Sequence, residues 1–148
     1  MKLILTTFVG LITYGLMEAS PQSLDHLVFD PKPGTANGKH IVLISGDEEY
    51  RSEESCPMLA KILSQRHGFR CTVLFSIDPE TGCIDPNQIS NIPQTAQLAD
   101  ADLMIIGTRW RKLPGKQLQP ILDYLNAAKP LIAFRTATHA FNNNDRYG

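Results

Sequence analysis

Charge of one sign is what this sequence has least of: 14 Lys and Arg stand against 15 Asp and Glu, a net charge of −1 with His neutral. Nothing in that balance steers the whole chain toward nucleic acid or an anionic membrane surface, so neither is expected as a partner. Cysteine is scarce as well. The three present, Cys56, Cys71 and Cys83, are an odd count, which leaves at least one thiol unpaired within the chain. None stands in C-x-x-C or beside a histidine at zinc spacing, which argues against a structural zinc site. Cys56 and Cys71 read instead as small apolar packing residues. G-x-G-x-x-G and G-x-S-x-G are both missing, so neither a dinucleotide fingerprint nor a serine elbow is present. Internal repeats and low-complexity tracts are absent too.

One long apolar run is present, from Leu3 to Met17, behind Lys2 and ahead of Glu18-Ala19-Ser20-Pro21. A basic residue, an apolar core and a small-residue exit describe a secretory signal peptide. The run is short for a membrane-spanning helix, which needs about 20 residues. Residues 1–19 are therefore expected to direct export to the periplasm or the medium and to be removed after Ala19, leaving no membrane contact. An uncleaved anchor is the competing reading. Residues 20–39, rich in Pro, Gly, Ser, Asn and Asp, read as a leader or linker in which Leu27-Val28-Phe29 has something to dock.

The 148 residues, 43% apolar and 20% charged, suit one globular domain, placed at 40–148. Four apolar runs, Ile41–Ile44, Thr72–Phe75, Leu103–Gly107 and Leu131–Phe134, lack alternation. Strands of that kind are expected where helices cover both faces of a parallel sheet. A helix is predicted to begin between Ser52 and Cys56, with Pro57 near its first turn and Met58, Leu59, Ile62 and Leu63 as its apolar stripe. Gly68 reads as its stop. A short helix is predicted near Thr95–Ala99. A later helix carries Leu118, Ile121, Leu122 and Leu125, and Pro120 should kink it or delay its onset. The order predicts an α/β fold with a parallel sheet and right-handed crossovers. The last strand is followed by little, so the domain reads as cut short.

Ligands of open α/β sheets bind beyond the carboxyl ends of the strands. Three polar loops are predicted to leave that edge. The first, Gly46 to Glu54, holds Asp47, Glu48, Tyr50 and Arg51. Asp47 and Glu48 are candidates for acid–base work or a hard metal, while Glu53 and Glu54 suit a helix amino terminus. The second, Thr108 to Lys112, sets Arg109 and Arg111 about Trp110, a stacking face with two cations. Arg109 and the acidic loop should share an edge and pair. The third, Arg135 to Phe141, resembles a strand-to-helix elbow, with Thr136 and Thr138 as weak hydroxyls and His139 as base, ligand or hydrogen-bond partner. No metal site and no cofactor is assigned.

The stretches KHIVLISGDEEYRSEES, HGFRCTVLFSIDPETGCIDP, ADLMIIGTRWRKLP and KPLIAFRTATHAF resemble successive blocks of ThuA-like (trehalose-utilisation) domains of exported bacterial proteins. The resemblance covers about Lys39 to Phe141. It implies a flavodoxin-like three-layer fold similar to class I glutamine amidotransferases, and an association with the utilisation of carbohydrate of the trehalose-type disaccharide class. The elbow that carries a nucleophilic cysteine in amidotransferases reads RTATHAF here, so amidotransferase chemistry does not transfer. The acidic GDEEYR loop also departs from the His-rich form of trehalose-utilisation members. The resemblance implies a small-molecule, saccharide-like ligand; on the three loops the ligand-binding candidates are Tyr50, Arg51, Arg109, Trp110, Arg135, Thr136 and Thr138, with Asp47, Glu48 and His139 as catalytic candidates. A non-catalytic binding module and a metal-assisted hydrolase are the alternatives. Oligomeric state is left open.

Overall fold

The computed structural model describes residues 25–142; the expected signal peptide at 1–19 lies outside them. Five strands form one sheet: β1 (His26–Phe29), β2 (His40–Gly46), β3 (Arg70–Leu74), β4 (Leu103–Thr108) and β5 (Leu131–Ala133). Their order is β1-β3-β2-β4-β5, with β1 antiparallel to β3 and every other pair parallel. The fold is α/β, and the sheet is mixed rather than purely parallel.

Consecutive residues of β2 serve different layers. Val42 and Ile44 join Met104, Ile106, Leu118, Ile121 and Leu122 on one face. Ile41 and Leu43 join Val73, Ile105, Cys56 and Ala60 on the other. The first face is covered by α2 (Gly115–Asn126) and a 3-10 turn at Thr95–Asp100, the second by α1 (Ser52–His67). Cover on both faces is why β2, β3 and β4 read as unbroken apolar runs, whereas β5, read from the same kind of run, is exposed at all three residues. Each fully buried Ile or Leu among them contributes about 1.5–3 kcal/mol.

Three expectations about the framework need correcting. The segment taken as leader supplies β1, whose Val28 and Phe29 pair with Thr72 and Cys71. Its later part is docked as well: the Asn37 side chain and backbone donate to the His67 and Gly68 carbonyls, each at 2.9 Å. The face of α1 that packs on the sheet is Ser52, Cys56, Ala60 and Ser64, with Leu59 and Leu63 half-buried, whereas Met58 and Ile62 point outward at 65% and 48% exposure. Small residues let the helix lie close to the strands, so size and not hydropathy selects the inner face. Helix α2 begins at Gly115, so Pro120 does not delay it; Leu125 stays exposed while Tyr124 is buried.

Gly68 ends α1 as expected, at φ +76°, with the Gly68 and Phe69 amides donating to the Ser64 and Leu63 carbonyls. A Cβ there would collide with the Thr35 carbonyl oxygen, so both conformation and space demand glycine. Among the described residues no helix is long and apolar enough to cross a membrane.

Candidate functional site

The strand order reverses between β2 and β4: the chain leaves β2 for β3 on one side, then crosses to β4 on the other. Ligand sites of open α/β sheets form at such a switch, beyond the strands' carboxyl ends. Residues Asp47–Arg51, Arg109–Arg111 and Arg135–His139 all leave the sheet at this edge.

The turn from β2 into α1 is built around two side chains. Ser52 Oγ accepts from the amides of Gly46 and Asp47 at 3.1 and 2.8 Å and meets Ser45 Oγ at 2.9 Å. Asp47, only 2% exposed, accepts from the amides of Glu49 and Tyr50 and from the Thr136 hydroxyl. An aspartate so engaged folds the loop back on itself. Its remaining lone-pair capacity faces protein, not solvent.

Glu48 lies between two guanidinium groups, one oxygen on Arg109 and the other on Arg111. Arg109 Nε also approaches Glu49 at 3.1 Å, so the expected pairing of Arg109 with the acidic loop is present. Arg51 pairs with Glu54 in the first turn of α1, beside Glu53, where carboxylates complement the helix dipole.

Arg111 is the residue whose role the sequence conceals. The reading that Arg109 and Arg111 flank Trp110 as a clamp holds for neither guanidinium, because both are spent on Glu48. Arg111 is fully buried; its Nε donates to the Arg109 carbonyl at 2.7 Å and its Nη1 to the Pro86 and Gln88 carbonyls at 2.9 Å. Burial pulls its acidity constant below the usual guanidinium range, and the charges of Glu48 and Asp47 oppose that shift. It thereby pins the long loop between β3 and the Thr95 turn to the switch point. Gly46 is part of the same arrangement, since a Cβ there would lie 3.1 Å from Ser76 Oγ and 3.2 Å from Arg111 Cδ.

Trp110 sits between these charged residues with φ +53°, uncommon for a bulky side chain, and Arg51 has φ +52°. Such conformations cost on the order of 1 kcal/mol or more and persist where surrounding structure holds them. Here the Trp110 amide donates to the His139 carbonyl and the Arg111 amide to the Ala140 carbonyl, both at 2.9 Å. The loops after β4 and β5 are thus zipped together. The Trp110 and His139 rings meet with centroids 4.6 Å apart at a 33° tilt, and the indole remains 46% exposed.

The turn after β5 is a 3-10 helix, Arg135–His139. Thr136 is buried against Asp47 and does not project above the sheet as an elbow side chain would. Thr138 is exposed; its Oγ1 lies 3.2 Å from both the Arg135 carbonyl and His139 Nδ1. The hydroxyl can donate to that carbonyl while its lone pairs face the imidazole nitrogen. Arg135 Nη1 donates to the Tyr50 hydroxyl at 3.1 Å, and its guanidinium carbon lies 5.8 Å from the Tyr50 ring centre.

The candidate residues therefore separate into two sets. Asp47, Glu48, Arg109 and Thr136 form the internal frame, and Arg51 is paired on the surface. Tyr50, Trp110, Arg135, Thr138 and His139 offer solvent-facing groups along one chain of contacts. This face is open. A cleft of about 560 Å³ lies at the opposite, amino-end edge, between Lys39, Asp102 and Lys129. There Lys39 pairs with Asp102, and Lys129 donates to the Ala99 and Ala101 carbonyls.

Among the described residues no group of three or more His, Cys, Asp or Glu is placed to hold a metal ion. No family model matches the chain, and neither a curated protein nor a solved structure matches it.

Proposed function

We propose that the chain is a ThuA-like domain, on a flavodoxin-like fold of the class I glutamine amidotransferase type, that binds a saccharide at the carboxyl edge of its sheet as a non-catalytic module. The observation that carries this reading is the division of labour among the candidates. The carboxylates that would do acid–base work are occupied, Asp47 by three donors and Glu48 by two arginines. The groups left accessible are two aromatic rings, a cation, a hydroxyl and an imidazole. Exposed aromatic rings with polar groups at their margins suit a ligand that has an apolar face and a rim of hydroxyls. The same occupation counts against a metal-assisted hydrolase. The segment Leu3–Met17 supports export, which would set the ligand in the periplasm or the medium.

A catalytic reading keeps one foothold: His139 Nε2 has no partner among the described residues, and a base needs that freedom. Turnover of a saccharide by the native protein that vanishes in His139→Ala would favour it. Trp110 is the only tryptophan in the chain, so its intrinsic fluorescence reports on the site directly. Titration with a panel of mono- and disaccharides should shift that emission saturably. A folded protein whose emission and heats stay flat across the panel refutes the proposal.

A further inference from the structure

Resting on the saccharide reading above, we infer that the ligand is an acidic sugar, of the uronic acid type, whose carboxylate is received by Arg135.

Charge at the carboxyl edge of the sheet is almost fully paired. Three of its arginines are answered by acids of the same edge: Arg109 by Glu48 and Glu49, Arg111 by Glu48, and Arg51 by Glu54 with Glu53 at 4.0 Å. The fifth acid, Asp47, is buried and engaged by amides and a hydroxyl. Arg135 is the exception, with no carboxylate partner among the described residues although five acids lie in the facing loop. An exposed guanidinium without an acid is ordinary at a mobile surface position. Arg135 is not held as such a position would be.

Two features fix it. The next residue, Thr136, is buried and bonded to Asp47, which ties the turn to the switch point. The guanidinium itself rests near the Tyr50 ring at 5.8 Å and donates one N–H to the Tyr50 hydroxyl. Contact with an aromatic face and one hydrogen bond orient the planar group without neutralising it. The remaining N–H donors form the fork that takes a carboxylate through two parallel bonds. A single cation with no acid on it among the described residues answers a single negative charge.

The neighbours fit the rest of such a ligand. In a 3-10 turn residues three apart eclipse, so Thr138 stands on the same side as Arg135 and offers its hydroxyl to a sugar hydroxyl. His139 adds an imidazole nitrogen, and the part of Trp110 that His139 leaves exposed gives the pyranose ring a surface to stack on.

The test compares methyl β-D-glucuronide, methyl β-D-glucoside and the uncharged glucuronamide, with the corresponding galacto compounds, by calorimetry on the full chain. The acid should bind at least tenfold more tightly than the glucoside and the amide, and the advantage should shrink in high salt because it is electrostatic. Arg135→Gln should bring acid and neutral sugars to the same affinity; Arg135→Lys should keep part of the preference. Equal affinity for acid, amide and glucoside overturns the inference and leaves saccharide binding standing. So does a preference that survives Arg135→Gln. Absence of binding by every compound to the folded native chain overturns both readings. The amide comparison needs no mutant, so the inference stays open to refutation even if the Arg135 variants fail to fold.

Discussion

Thr136, in the turn after β5, donates its hydroxyl proton to the carboxylate of Asp47, in the turn after β2, across 89 positions of sequence. Both residues are nearly sealed from solvent, at 4% and 2% exposure. This one bond joins the first and last loops of the carboxyl edge and sets Tyr50 and Arg135 side by side.

Thr136→Val keeps the shape and removes the donor. Unfolding should become easier by about 1–3 kcal/mol, because the buried Asp47 oxygen is left without that partner. A double-mutant cycle with Asp47→Asn should show strong coupling in denaturant titrations. Additive losses would mean that the bond does not join the two loops energetically.

Arg111→Met should cost roughly 3–5 kcal/mol, the usual consequence of removing one member of a buried ionic arrangement. The carbonyls of Pro86 and Gln88 would lose their donor, so the loop they belong to should become susceptible to limited proteolysis before global unfolding. Arg111→Lys should not restore it, since one ammonium cannot reach three carbonyls and a carboxylate in that fork geometry. A loss below about 1 kcal/mol, with no new cleavage, would show that Arg111 is a passenger.

The two lessons of these residues are different. Strands β2, β3 and β4 are legible because apolar runs on both faces leave little alternative to a covered sheet. Strand β1 is not, since three half-buried residues and the exposed Val28, set near prolines and glycines, carry no periodicity and gain their place by pairing with β3. The inner face of α1 misleads for a physical reason: Met58 and Ile62 are more apolar than Ser52 or Ser64, but only small side chains fit against the strands. At the site, topology alone brings the three polar loops to one edge, and the meeting of Arg109 with the acidic loop follows from charge. What the sequence cannot disclose is burial. Asp47, Thr136 and Arg111 read as surface chemistry because each is polar and near the strand ends, and packing turns all three inward.

The thiols give a prediction with a sign. Burial pushes Cys56 up to about 12, helped by the nearby charge of Glu53, and Cys71 up to about 11, whereas Cys83 is exposed. Iodoacetamide near pH 8 should therefore label Cys83 alone in the native state and all three after unfolding, as read by mass spectrometry. In the unfolded chain a thiol ionises at roughly 8.5, so above that pH the folded state retains protons that the unfolded state has lost. The stability contributed by these protonated thiols is complete below that value and is lost as pH rises toward 11–12. Cys56→Ala should flatten the alkaline limb of the stability profile. Labelling of Cys56 as fast as Cys83 in the native protein would contradict the packing described.

The most direct test of the account is calorimetric titration of the native protein and of Trp110→Ala with one panel of neutral and acidic sugars, alongside thermal melts of both. The account predicts saturable binding of at least one panel member to the native chain. In Trp110→Ala it predicts affinity at least tenfold lower, a loss of about 1.4 kcal/mol or more, with the melt unimpaired. Unchanged affinity in Trp110→Ala, or no binding of any sugar by the folded native protein, would contradict it.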